Sequence, residues 1–149
     1  MQFRTVARMT FAIGASSCVM ALLFNWSRDQ AVADSEFVAA TTAVTDENFE
    51  DVVLASEKPV VCDFYGDYCG VCRKLEPQFA ELAQKHSDAA VFARVNVQHA
   101  PELIEKLEIQ EVPTLVVIHE GELLFRGAGL AALPPMQAAL EATITGKLP

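Results

Sequence analysis

The chain has 149 residues, of which 52% are hydrophobic and 21% charged, and its 20 acidic side chains outnumber its 11 basic ones. This length suits one domain, and this hydrophobic fraction excludes a disordered chain. The counts of 7 glycines and 7 prolines exclude collagen-like or low-complexity material. A formal net charge of -9 argues against binding to nucleic acid, whose phosphates attract basic proteins, and is consistent with a soluble monomer.

Residues 1–33 differ in composition from the rest of the chain. Arg4 and Arg8 give a positive start, an apolar run extends from Met9 to Phe24, and the segment ends in the small-x-small triplet Ala31-Val32-Ala33. This order is typical of a secretory signal peptide and predicts cleavage after Ala33, with export of the remainder to the periplasm. The alternative is an uncleaved anchor over residues 9–26 that holds the domain outside the cytoplasm. The apolar run is, however, shorter than the roughly 20 residues of a membrane-spanning helix.

Export would change both the charge and the cysteine count. It would remove three arginines and one aspartate, so the mature chain would be more negative by two charges. Three cysteines would remain, at Cys62, Cys69 and Cys72. In an oxidising compartment this odd number allows one disulfide at most within the chain and leaves one thiol over. Without a repeat or a second change in composition, residues 34–44 are interpreted as a tail and residues 45–149 as one domain.

The first elements after the predicted cleavage site are short. A short edge strand is predicted at Phe37-Val38-Ala39, within the tail. A helix is predicted to follow, with Thr45 as its N-cap and with Asp46 and Glu47 in its first turn, where acidic side chains favour the helix dipole.

The remaining elements alternate between strand and helix patterns. β-rich runs predict strands at residues 60–65, 91–97, 114–119 and 122–126, the last two joined by a tight turn at Glu120-Gly121. Apolar residues at helical spacing predict helices at 69–86, at 100–107 and from Pro134 to about Ile144, and Pro77 inside the first of these is expected to kink it. The order β-α-β-α-β-α-β-β-α predicts an α/β fold, with a central mixed sheet flanked by helices on both faces.

The segment Cys69-Gly70-Val71-Cys72 directly follows a predicted buried strand and opens a predicted helix. The thiolate is the nucleophile in disulfide exchange, and a helix N-terminus lowers the pKa of a thiol. Two intervening residues let the second sulfur reach the first, so a mixed disulfide with a substrate can resolve inside the motif. Its position nearer the loop assigns attack to Cys69, and resolution to Cys72, one turn into the helix.

Three other roles compete with redox chemistry for this pair. A zinc site needs four ligands, and without a second CxxC segment Cys62 and the scattered His86, His99 and His119 would have to converge. Covalent haem attachment requires histidine directly after the second cysteine, where Arg73 stands. A purely structural disulfide across so short a loop would restrain little of the chain. Redox chemistry without a metal or other cofactor is therefore favoured.

Residues 62–72 resemble the strand-loop-helix signature of the thioredoxin family. Val112-Pro113-Thr114 matches the Ile-Pro-Thr segment of that family, Gly121 matches its hairpin turn, and the resemblance covers about Thr45 to Ile144. It implies the thioredoxin fold and a reversible disulfide between the two cysteines of the motif. It also implies a cis peptide bond before Pro113, which faces the motif and shapes the substrate groove.

The chain departs from the family pattern at three positions. Tyr68 replaces the tryptophan before the first cysteine, Val71 replaces the proline between the cysteines, and Arg94 replaces a lysine on the next strand. Because the pair of residues between the cysteines tunes the redox potential, reductase, oxidase and isomerase activities all stay open. Arg94 would keep a cation near Asp63, but its pKa is too high for it to share protons.

Asp63 is a carboxylate on an otherwise apolar strand. A buried carboxylate without a partner costs free energy, so one interpretation places Asp63 at an exposed strand end. The resemblance instead favours a buried proton acceptor for Cys72, with a pKa raised by desolvation. The neighbouring Cys62 points to the opposite side of the strand and is expected to be an inert core residue.

Together these residues predict an exported thiol–disulfide oxidoreductase. Its substrates would be cysteine-containing exported proteins, and a membrane protein with a thiol pair would donate or accept its electrons. Similarity to thioredoxin across the whole domain favours the reductant. We expect substrates to contact an apolar rim, made of Tyr68, Gly70, Val71, Val112 and Pro113. The alternative is a non-catalytic chaperone, or a module that binds a soft metal ion such as copper(I) through both cysteines of the motif.

Overall fold

A computed structural model describes residues 40–147 of the chain, which form five strands and three α-helices. The strands are β1 (Thr42–Val44), β2 (Val60–Tyr65), β3 (Val91–Asn96), β4 (Thr114–His119) and β5 (Glu122–Ala128). The helices are α1 (Gly70–Lys85), α2 (Pro101–Lys106) and α3 (Leu133–Ile144), with a π-helical turn at Glu50–Leu54 and a 3₁₀ turn at Leu130–Ala132. The predicted signal peptide or anchor lies outside the described residues.

The strands form one mixed sheet in the order β1-β3-β2-β4-β5. β1 and β2 pair in parallel with β3, whereas β4 is antiparallel to both β2 and β5. The central strand β2 is buried along nearly its whole length, as its sequence, apolar except for Asp63, indicates. The predicted α/β fold with a central mixed sheet is confirmed.

Each face of the sheet carries its own hydrophobic core, because successive side chains of a strand point to opposite faces. On β2, Cys62 and Phe64 pack in the core that is shared with the π-helical turn and α2. Val61 packs in the other core, with side chains from α1 and α3 such as Leu75, Phe79, Met136 and Leu140. The alternation places Asp63 on the same face as Val61, which is the face that α1 covers.

The chain preceding β2 differs from its prediction. The edge strand β1 occupies residues 42–44, which were assigned to the tail, and the predicted strand at residues 37–39 lies outside the described residues. The predicted N-cap at Thr45 is wrong, because the helical turn begins at Glu50. The Asn48 side chain explains the late start: its Oδ1 accepts the backbone N–H of Thr45 (2.8 Å), and its Nδ2 donates to the carbonyl of Ala43 (3.1 Å). Such local side-chain bonds hold the backbone in turns and compete with helix formation.

Asp46 caps a different helix from the one predicted. Its two carboxylate oxygens accept the backbone N–H groups of Glu102 (3.2 Å) and Leu103 (2.9 Å), in the first turn of α2. The N-cap residue of α2 is Ala100, which has no polar side chain to do this. The acid therefore stabilises α2 and ties the segment after β1 to it.

None of the helices within residues 40–147 has both the length and the apolar content that crossing a membrane requires.

Candidate redox site

Cys69 and Cys72 form a disulfide at the N-terminus of α1, with their Cα atoms 5.2 Å apart. Cys69 is the N-cap residue of α1, and its Sγ accepts a hydrogen bond from the backbone N–H of Cys72 (3.0 Å). Cys69 is partly exposed, whereas Cys72 is only 1% exposed. In the reduced protein, the N–H groups and the positive dipole end of α1 would stabilise a thiolate on Cys69.

The loop before β4 lies against the disulfide. The peptide bond between Val112 and Pro113 is cis, as the resemblance implied, and the Val112 carbonyl oxygen lies 3.7 Å from Cys69 Sγ. Two hydrogen bonds fix this loop. The Pro113 carbonyl accepts the backbone N–H of Gly129 (2.7 Å), just after β5, and the Thr114 hydroxyl donates to the carbonyl of Glu111 (2.6 Å). The Val112 carbonyl is thereby presented to the sulfur by a loop that is anchored at both ends.

An exposed apolar surface lies next to the cysteines. Tyr68 is 91% exposed and Val71 is 43% exposed, while Gly70 is exposed and Val112 is half-buried. Pro113 itself is buried. Large apolar side chains in contact with water favour binding of another molecule, which would cover them. Four of the five residues predicted to contact substrate thus present surface near the disulfide.

Asp63 is fully buried, with 0% of its surface exposed, which excludes the interpretation as an exposed strand end. Burial raises the pKa of its carboxyl from the ordinary value of 3.8 to about 6. The charge and the hydrogen bond of Arg94 act in the opposite direction, and the negative charge of Glu76 adds to the effect of burial. Asp63 therefore exchanges a proton much closer to neutral pH than an exposed aspartate does.

Arg94 connects Asp63 to α1. It lies directly opposite Asp63 in the pairing of β2 with β3, and its Nε donates to Asp63 Oδ2 (3.2 Å). Its Nη2 donates to Glu76 Oε1 (2.9 Å), and its guanidinium lies 3.8 Å from the centre of the Tyr65 ring. The sequence placed a cation near Asp63 but did not predict a role for Glu76. The available signal was its position four residues after Cys72, which puts both side chains on one face of α1.

The third described cysteine, Cys62, takes no part in this arrangement. It is fully buried, and burial together with the nearby charge of Asp63 raises the pKa of its thiol to about 12. Its thiolate is therefore strongly disfavoured. Within residues 40–147 there is no group of three or more histidine, cysteine or acidic side chains that could hold a metal ion, so the zinc alternative finds no ligand set there.

The disulfide at a helix N-terminus, with one sulfur accessible and the other covered, places the chain in the class of dithiol–disulfide proteins. A family model described as "Thioredoxin" matches residues 40–142. Thioredoxin from Alicyclobacillus acidocaldarius is 33% identical over 101 residues, which cover 68% of this chain and 95% of that protein. Thioredoxin 1 from Synechococcus elongatus is 35% identical over 85 residues, which cover 57% of this chain and 79% of that protein.

A solved structure agrees with these sequence matches. The short form of thioredoxin f from spinach chloroplast superposes with a TM-score of 0.63 at 28% identity, covering 69% of this chain and 92% of that one. The chain therefore belongs to the thioredoxin family. With its redox pair in place, it is a thiol–disulfide oxidoreductase.

Proposed function

We propose that this protein is exported and reduces disulfides in cysteine-containing proteins outside the cytoplasm. The observation that carries this proposal is the unequal exposure of the two sulfurs beside an exposed apolar surface. A substrate disulfide can approach Cys69, which is partly exposed, but not Cys72, which is 1% exposed. One sulfur is thus available for attack, and the other is kept for resolution.

The reaction transfers two electrons in two exchange steps. The thiolate of Cys69 attacks one sulfur of the substrate disulfide, so a mixed disulfide forms and the first substrate thiolate leaves. Cys72 then loses its proton and attacks Cys69 Sγ, which releases the second substrate thiolate and forms the Cys69–Cys72 disulfide. The substrate is reduced to a dithiol, and the protein is oxidised.

Asp63 accepts the proton of Cys72 in the second step. Its burial and its position on the α1 face of the sheet support this role, as does a pKa of about 6, since a base works best when its pKa is near the working pH. Arg94 orients the carboxylate through the hydrogen bond from its Nε to Asp63 Oδ2.

The rim formed by Tyr68, Gly70, Val71 and Val112 binds the substrate chain around its disulfide, and the buried Pro113 lies behind this rim. The exposure of Tyr68 and Val71 supports this, as does the Val112 carbonyl oxygen that lies 3.7 Å from Cys69 Sγ.

Export is supported by the positive start, the apolar run and the small-residue triplet of residues 1–33. The alternative is a domain held outside the cytoplasm by an anchor over residues 9–26. In either case nicotinamide-dependent reductases inside the cell cannot reach it. A membrane protein with its own thiol pair therefore supplies electrons to the Cys69–Cys72 disulfide.

Insulin reduction with dithiothreitol as electron donor tests the activity. The wild-type protein should accelerate the reduction, and Cys69→Ser should abolish the acceleration. Cys72→Ser should instead accumulate a mixed disulfide through Cys69. Cys62→Ala is the matched control, since it removes a cysteine but leaves the pair intact. Copper(I) binding by both sulfurs without insulin turnover would favour the non-catalytic alternative, and trapping through Cys72 would reverse the assigned roles.

The redox state in cells tests direction and location. Acid-trapped cells are treated with a thiol reagent of high mass, and the gel shift of the pool is scored in separated compartments. A reductase outside the cytoplasm should be mainly a dithiol, because its membrane partner and not a buffer sets its state. A mainly oxidised pool would indicate an oxidase, and a cytoplasmic pool would contradict export.

A further inference from the structure

The guanidinium of Arg94 is divided between two carboxylates. Nε and Nη2 form the edge of an arginine that commonly binds both oxygens of a single carboxylate. Here Nε donates to Asp63 Oδ2 (3.2 Å), whereas Nη2 donates to Glu76 Oε1 (2.9 Å). The Tyr65 ring, 3.8 Å from the guanidinium, limits how the plane can turn. Asp63 therefore receives one bond from a group that could give it two.

The second oxygen of Asp63 is left without a partner. Asp63 Oδ1 is shielded from solvent, and no described residue donates a hydrogen bond to it. A buried carboxylate oxygen in this condition is costly, and it is the oxygen at which a proton is best accommodated. A second bond from Arg94 would give Oδ1 a partner and favour the charged form of Asp63.

We propose that Glu76 is a positioning residue for the resolving step. By holding Nη2 of Arg94, it keeps the guanidinium to a single contact with Asp63 and leaves Asp63 Oδ1 open to the proton of Cys72. The inference rests on the proposed role of Asp63 as proton acceptor. Glu76 touches no sulfur in this account; it acts through its hydrogen bond to Arg94 and through its negative charge near Asp63.

Within residues 40–147, the charged or titratable groups around Asp63 come from its own strand, from β3 and from α1. On its own strand the neighbours are Cys62, whose pKa is raised to about 12 so that its thiol stays neutral, and Tyr65, two residues along on the same face, whose ring lies against Arg94. From β3 it faces Arg94, and from α1 the charge of Glu76 acts on it, while Cys72 is the thiol of α1 that Asp63 is proposed to serve. Its partner on β4 is the apolar Leu115. Changes at Glu76 should therefore appear in the titration of Asp63.

The test compares Glu76→Ala and Glu76→Gln with the wild-type protein. In the oxidised protein, carboxyl ¹³C NMR follows the ionisation of Asp63. Glu76→Ala removes the Oε1 acceptor of Nη2 and a negative charge near Asp63, so the midpoint should move to lower pH by several tenths of a unit. Glu76→Gln keeps an acceptor for Nη2 and removes only the charge, so its shift should be in the same direction but smaller. Glu81→Gln is the control, because it removes an exposed acid from the same helix.

The pH dependence of the resolving step is measured on the same variants, as the release of substrate from its mixed disulfide with Cys69. We expect its acid limb to move to lower pH together with the NMR midpoint. An Asp63 midpoint that is the same in wild type and both Glu76 variants would overturn the inference, while leaving the proposed reductase untouched. A midpoint that moves while the pH profile stays fixed would refute Asp63 as the acceptor, and with it the step that Glu76 is proposed to serve.

Discussion

Replacing Asp63 with asparagine should change the stability of the protein in a way that depends on pH. The folded carboxyl has a pKa of about 6, whereas an unfolded aspartate has its ordinary value of 3.8. Below both values the group is protonated in both states and carries no electrostatic penalty. As the pH rises from about 4 to about 6, the unfolded state releases its proton first, so the free energy of unfolding falls.

The size of this effect follows from the difference between the two pKa values. The rise from 3.8 to about 6 corresponds to a loss of about 3 kcal/mol of stability, complete above about pH 6. Asp63→Asn cannot ionise and should not suffer this loss. The lost ion pair with Arg94 is already contained in this pKa, because it exists only while Asp63 is ionised, whereas the exchange of a neutral carboxyl for an amide costs the same at every pH. The informative quantity is therefore how the difference in unfolding free energy between Asp63→Asn and wild type changes with pH. This change favours the variant at neutral pH.

Urea denaturation of the oxidised proteins at several values between about pH 3 and about pH 8 measures this difference. The unfolding free energy of Asp63→Asn minus that of wild type should increase by about 3 kcal/mol across this range. Asp88→Asn, which removes an exposed aspartate from the turn after α1, should give a difference that changes little. Curves for wild type and Asp63→Asn that run parallel from acid to neutral pH would refute the argument that burial of Asp63 dominates its titration.

Two further predictions follow from the described contacts. Asp46→Ala should lower the free energy of unfolding by about 1 kcal/mol, because it removes the cap from two backbone N–H groups of α2. Glu47→Ala, which changes the next residue on the surface, should alter the free energy of unfolding little. Equal stability of the two variants in urea would contradict the cap. Cys62 should resist iodoacetamide in the folded protein at about pH 8 and react once urea unfolds it, because burial disfavours its thiolate. Peptide mapping of the label decides this, and modification of Cys62 in the folded protein would contradict its inertness.

The strands were predicted best where the sequence is apolar on both faces. β2 and β4 have the predicted boundaries, since continuous β-rich runs bounded by Pro59 and Pro113 allow few alternatives. β5 extends two residues further than predicted, because its pairing with β4 continues to Ala128. The segment between β1 and β2 was less predictable. The hydrogen bonds of Asn48 to Thr45 and Ala43 hold a turn there, and a helical pattern of apolar residues does not reveal them.

The redox pair was also accessible from the sequence, because it rests on short-range features, whereas the burial of Asp63 was favoured by the resemblance to thioredoxins. A CxxC segment between strand and helix carries its own chemistry, and Asp63 is conspicuous as a charge in an apolar strand. The partners of Asp63 were harder to predict from the sequence, since Glu76 meets Arg94 only after α1 has folded back across the sheet. Asp46 likewise meets its partners on α2 more than fifty residues further along the chain. Such contacts depend on tertiary packing, which spacing along one helix or strand does not encode.

The register of the sheet determines the chemistry of the site. Asp63 meets Arg94 because β2 and β3 pair in one particular alignment. A shift of β2 by one residue would turn Asp63 into the opposite core, among Phe49, Val53 and Leu103, and would place Cys62 opposite α1. Both faces of β2 are covered by apolar side chains, so such a shift would expose or misplace an entire core. The packing that makes a buried carboxylate costly therefore also holds Asp63 beside Arg94 on the face that α1 covers, which is the position that its proposed role toward Cys72 requires.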